Sequence, residues 1–230
     1  MIFNSRPTQN LQDLQFRNDT IEWVEEFKYL GLVITNKLNF SKHINRVSLY
    51  VSRLTGIFVN IRSIVPVQTM LKLYYALVYP HLIGHIVIWG SAPTSHIRNL
   101  SVRLNNMFRV ILGVRWVDGR PTINTNTMYN SNNLLKIESI FKMNLFKLLR
   151  QLLDGHLPDM YNYLLQPHQS LRNYDTRNGL FRHPALVCEV ERRFLPHNLI
   201  SMYDNIPAEF IAQNINIASK NFKTFLLNSQ

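Results

Sequence analysis

Ile44, Val47, Val51, Leu54, Phe58 and Ile61 recur at alternating steps of three and four residues, and only a helix carries all of them on one side of the chain. Just upstream the apolar period is two, so the chain must change from strand to helix within a few residues. Asn39 or Ser41 marks the change, because either side chain offers the oxygen that first-turn amides need. The helical period then returns along the rest of the sequence. Pro66 suits the first turn of a second helix through VQTMLKLYYALVYPHL, with a kink expected near Pro80. After SAPT, the residues Ile97, Leu100, Leu104, Met107 and Ile111 form the inner face of a third helix, which Gly113 stops. In LLKIESIFKMNLFKLLRQLL the residues Leu134, Phe141, Leu145, Leu148 and Leu152 face inward, Gly155 ends the helix and Pro158 opens a short successor.

The N-terminal part reads as β structure. MIFN is a short strand, LQFRNDTIEWV gives two strands around RND, and FKYLGLVITN is a further strand with Leu30, Leu32 and Ile34 on one face. So small a sheet needs a partner to pack on. The fold expected is mainly α with a small N-terminal antiparallel β-sheet, an α+β chain. Its divisions are a β segment at 1–38, a basic helical domain at 39–117, a polar linker with Gly119 and Pro121 at 118–133, and a C-terminal helical region at 134–230.

Charge is segregated along this plan. From Phe27 to Val117 there is no aspartate or glutamate, while Lys28, Lys37, Lys42, Arg46, Arg53, Arg62, Lys72, Arg98, Arg103, Arg109 and Arg115 are all basic. The whole chain has 25 Lys and Arg against 14 Asp and Glu, so removing those eleven leaves the remainder balanced and the block carries the entire net charge of +11. A sustained positive potential of that kind suits a polyanion such as nucleic acid. Lys42, Arg46 and Arg53 share one face of the first helix, and Arg98 and Arg109 share one of the third. The opposing reading of each set is a solvated helix face.

Other chemistries find less support. Cys188, the single cysteine, can close no intrachain disulfide and excludes a multi-cysteine zinc site; its neighbour His183 lacks the oriented third group of a nucleophilic triad. His81 and His85 have the spacing of a metal pair but no third ligand, and read as core or kink histidines. Trp23, Trp89 and Trp116 read as core rather than as base-stacking platforms. The run from Leu73 to Gly90 bears no formal charge, yet Pro80, His81 and His85 inside it argue for a buried helix over a membrane span. The sequence after Met1 lacks the apolar core of a secretory signal, and no dense Lys/Arg run marks a nuclear one, so the compartment stays open.

One family ties these segments together. FKYLGLVITNKLNFSKHI resembles the stretch just past the catalytic palm in reverse transcriptases of non-LTR, jockey- or LINE-like retrotransposons, where a Tyr-Leu-Gly strand leads into the thumb. LVYPHLIGHIVIWG, RLNNMFRVILG, YDTRNGLFRHP and MYDNIPAEF resemble later blocks in the same order, although Tyr203 and Asp204 stand where the family has Trp-Asn. The resemblance implies the end of the palm, a thumb-like helical bundle and a C-terminal helical region. It also implies a parent RNA-directed DNA polymerase using Mg²⁺ held by clustered carboxylates. No two aspartates are adjacent in this chain, so the expectation is a truncated fragment without catalytic residues, cofactor or metal site.

What remains is sequence-independent binding of RNA or an RNA/DNA duplex, with the palm and fingers as further partners and no membrane. The residues expected to bind are Lys28, Tyr29, Gly31, Lys42, Arg46, Arg53, Arg98 and Arg109. Of these, Tyr29 and Gly31 are placed near the primer end by the resemblance alone. The competing readings are a protein–protein interaction module derived from a retroelement, and a non-functional relic.

Overall fold

The computed structural model describes residues 14–17, 19–21, 23–166, 181 and 194–229. The expected strand Met1–Asn4, the Cys188–His183 neighbourhood and most of YDTRNGLFRHP lie outside these residues.

Two antiparallel pairs come first, β1 (Leu14–Phe16) with β2 (Asp19–Ile21), and β3 (Glu26–Tyr29) with β4 (Leu32–Thr35). They do not join into one sheet. FKYLGLVITN is therefore a hairpin and not the single strand its apolar pattern suggests. Leu30 (φ 47°) and Gly31 (φ 91°) both adopt left-handed backbone, the conformation a two-residue hairpin turn demands. Leu30 consequently projects into solvent, while Leu32 is buried.

Helix α1 (Ser41–Ile61) follows, with Ile44, Val47, Val51, Leu54 and Phe58 buried as its stripe requires. Asn39 Oδ1 accepts hydrogen bonds from the Ser41 amide (3.1 Å) and hydroxyl (2.9 Å), which anchors the helix start. The apolar run after Pro66 is divided: α2 (Val67–Leu73), a five-residue π turn (Tyr74–Val78), α3 (Tyr79–Ile83), a break at Gly84 and His85, and α4 (Ile86–Trp89). Among the described residues no helix is long and apolar enough to cross a membrane. Trp89 is fully buried and its indole N–H donates to the Gly84 carbonyl at 2.7 Å, which spans the break. Gly90 lies hard against Phe141; a Cβ there would stand 2.4 Å from the ring.

Helix α5 (Thr94–Ile111) packs along α1 with Ile97, Leu100, Leu104, Met107 and Ile111 buried. The Arg103 guanidinium donates to the Ser52 hydroxyl across that contact. Residues 118–133 are more ordered than a polar composition suggests. A β5–β6 pair (Trp116–Val117 with Arg120–Pro121) leads to α6 (Thr125–Ser131), whose start Asn124 caps at the Asn126 amide. Met128 and Tyr129 of α6 are buried, and the Tyr129 hydroxyl donates to Asn105 of α5 at 2.8 Å.

Helix α7 (Ile137–Leu153) ends at Gly155 (φ 67°) and is followed by a 3₁₀ segment (Asp159–Leu164) after Pro158. It buries more of its circumference than one stripe, because α4 and α10 cover one side and α8 another. Helices α8 (Leu195–Asn205), α9 (Ala208–Ala212) and α10 (Ile215–Asn228) complete the fold. The main core cluster runs from Leu32 to Leu226, so the helices of 39–117 and the C-terminal helices share one interior. The chain is mainly α with small antiparallel β pairs.

Candidate nucleic-acid interface

Strand alternation decides which hairpin residues face α1. Glu26 and Lys28 lie on one face of β3 and Phe27 and Tyr29 on the other, where both aromatic rings are exposed. Glu26 reaches α1 and accepts from the Lys42 ammonium at 2.5 Å. On β4, the Val33 amide donates to His43 Nδ1 at 3.4 Å, so hairpin and helix are joined on both strands.

Between the hairpin turn, the first half of α1 and the segment around α3 lies a cleft of about 480 Å³. Lys28 and Gly31 line it from the hairpin, His43, Arg46 and Tyr50 from α1, and His81 and His85 from the broken helix. The Tyr50 and His81 rings stand 4.2 Å apart. No carboxylate is among the described residues that line it. Lys28 and Arg46 are permanent cations on separate elements, which gives the cleft a positive field with low-dielectric walls. Gly31 is required by its φ, since the space around it is open.

His43 is buried, and its own burial, followed by the charges of His85 and Arg46, pushes its pKa down to about 4. It is therefore neutral at pH 7. Because Nδ1 accepts from Val33, the ring proton sits on Nε2, a donor with no partner among the described residues. Lys42 is held by Glu26, which along with Glu25 raises its pKa.

The sequence-expected residues divide. Lys28, Gly31 and Arg46 come together in the cleft; Tyr29, Lys42, Arg53, Arg98 and Arg109 do not line it. Arg53 and Arg98 are exposed, whereas Arg109 is half-buried and donates to Asn106 (2.9 Å) and Thr125 (3.4 Å) at the entry to α6. His81 is exposed on the cleft wall instead of in the core, and His85 sits at the helix break with φ 56°. Sequence reasoning takes His81 and His85 only as core or kink histidines, and leaves His43 unassigned. The signal was present: His43 and Arg46 are one helical step apart, as are His81 and His85. Among the described residues no three His, Cys, Asp or Glu side chains are placed to hold a metal ion.

Known proteins supply the context for this geometry. Over 94 residues the chain is 29% identical to the RNA-directed DNA polymerase from mobile element jockey of Drosophila funebris, covering 40% of this chain and 10% of that protein. Over 118 residues it is 27% identical to the probable RNA-directed DNA polymerase from transposon X-element of Drosophila melanogaster, covering 50% of this chain and 12% of that one. The likeness is to retroelement polymerases. It extends over only about a tenth of each relative's length. No family model matches the chain, and no solved structure matches its fold.

Proposed function

We propose that this chain is the nucleic-acid-gripping part of a retroelement reverse transcriptase, following the active centre in the parent sequence. It holds the phosphates of RNA or of an RNA/DNA duplex without reading sequence. The observation that carries this is the convergence of Lys28, Gly31 and Arg46 on one cleft with no lining carboxylate, within a block of 91 residues (27–117) that contains no acid. Arg53 and Arg98 extend the contact from outward-facing positions on α1 and α5, and Lys42 and Arg109 join it where their present partners release them. Such contacts fix position on a nucleic acid and carry no sequence information. The chain supplies grip rather than chemistry. Polymerisation and its Mg²⁺ belong to carboxylates elsewhere in the parent, and the palm and fingers are this chain's intramolecular partners.

The test is titration of a labelled RNA/DNA duplex across a salt series. Affinity should fall at least about a hundredfold between roughly 50 and 200 mM salt, whatever the sequence. The pair Lys28→Gln and Arg46→Gln should weaken binding about tenfold and flatten the log–log slope by about 1–2. Parental affinity and slope in that double variant would overturn the assignment. A shallow salt response would instead favour an acidic protein partner.

A further inference from the structure

A second cavity, about 140 Å³ in volume, opens where α7, α10 and the π turn meet, and it shares no lining residue with the cleft. Lys147 enters it from α7 and Lys223 from α10, above a floor of Ile140 and Met143, with Tyr75 and Tyr79 at its side. Neither ammonium has an ion-pair or hydrogen-bond partner among the described residues. Two ammoniums thus line one small cavity whose other lining residues are Tyr, Leu, Ile and Met with no carboxylate, a composition that suits an anion. The tyrosines come from an unusual piece of backbone. The π turn Tyr74–Val78 breaks the α-helical ladder, and Tyr75 meets Tyr79 ring to ring at 5.4 Å and 63°. Such insertions recur at functional sites. Tyr75 remains 44% exposed although its neighbour Tyr74 is fully buried.

We propose that this cavity is a subsite for one unpaired nucleotide of single-stranded nucleic acid, with its phosphate on Lys147 and Lys223 and its base laid on the Tyr75 ring. The volume lies below the roughly 300–1,000 Å³ of pockets that enclose whole small ligands, so it admits the phosphate and leaves the base outside. There the open Tyr75 face receives it. Stacking beside a cation tolerates any base, because every base has a π face. Burial raises the pKa of both Tyr75 and Tyr79 further above the phenol's ordinary value, so both are neutral at pH 7.

The experiment is a lysine-acetylation footprint of the full chain, read by mass spectrometry, with a 12-nucleotide single-stranded RNA in one arm and inorganic phosphate in the other. The RNA should protect Lys147 and Lys223, and should still do so when Lys28 and Arg46 are replaced by Gln, which separates this site from the cleft. In binding titrations Lys147→Gln with Lys223→Gln should lower affinity for the RNA about tenfold and reduce the salt slope by about 0.7 per lost phosphate contact. Tyr75→Leu should lower affinity by a similar factor with the slope unchanged, the signature of lost stacking. Protection by inorganic phosphate but not by RNA would show an ion pocket only and would overturn the nucleotide subsite. So would parental footprint, affinity and slope in variants that melt like the parent.

Discussion

Arg46 and Arg150 show how differently two regions of this molecule use the same side chain. Arg46 stands exposed at the cleft, among histidines and a lysine. Arg150, on α7, is 6% exposed and its guanidinium is engaged on several sides. It donates to the Ile211 carbonyl, to the Gln213 carbonyl at 3.1 Å, and to the Asp154 carboxylate at 3.0 and 3.2 Å. The C-terminal helices treat a cation as a bracket for the turn between α9 and α10, whereas in the acid-free block Arg46, Arg53 and Arg98 are exposed to solvent. A cation's role here is set by whether an acceptor already sits beside it, and the separation of acids from bases along the sequence decides where acceptors are lacking.

The comparison breaks first at Arg150. Arg150→Ala strands the Asp154 carboxylate and two carbonyls, and should cost about 3–5 kcal/mol, read as a drop in melting temperature of roughly 10 °C. The salt slope for nucleic acid should be unchanged in whatever remains folded. A variant that melts like the parent would mean that the bracket is not structural.

His43 tests the cleft side at a smaller magnitude. An unfolded imidazole titrates near its ordinary 6.5, and burial holds the folded one at about 4. Between those values the unfolded chain binds the extra proton, so stability is complete above 6.5 and is lost as pH falls toward 4. The loss from pH 7 to pH 5 should be about 2 kcal/mol, followed by urea unfolding across pH. His43→Gln should flatten that dependence relative to the parent. An equal slope in both proteins would show that His43 is solvated and not a wall of the cleft.

The helices were legible because a stripe such as Ile97, Leu100, Leu104, Met107 and Ile111 states its period directly, and all five are buried. Less of the hairpin could be read. FKYLGLVITN is apolar on both sides of Leu30 and Gly31, and only the positive φ of both residues reveals a turn without Asn or Asp. Asn-rich 118–133 resembled a linker, but Met128 and Tyr129 were enough to draw α6 into the core once Asn105 offered the phenol an acceptor. In the site, Lys28, Gly31 and Arg46 were named from the block's charge and from family resemblance. The spacing of His81 and His85 was visible, but their meeting with His43 depends on the break at Gly84, which the Trp89 indole spans. For Arg150 only Asp154, four residues on, is a local acceptor; the Ile211 and Gln213 carbonyls lie 61 and 63 residues away.

The smallest expected effect sharpens the comparison most. Lys42 is an outward cation of the basic block, yet it is already paired with Glu26, one residue before the acid-free stretch begins. The pair is exposed, so it contributes little to folding. Glu26→Gln should therefore leave the melting temperature where it is. It also releases the Lys42 ammonium at the edge of the hairpin. If the block grips nucleic acid through free cations, affinity should rise a few-fold and the log–log salt slope should steepen by about 0.9, one additional phosphate contact. Unchanged binding would place Lys42 off the path of the nucleic acid and confine the grip to the cleft itself. Weaker binding would argue that the Lys42–Glu26 pair matters by holding β3 against α1, with Lys28 positioned through it. That outcome would make this surface cation, like Arg150, a bracket.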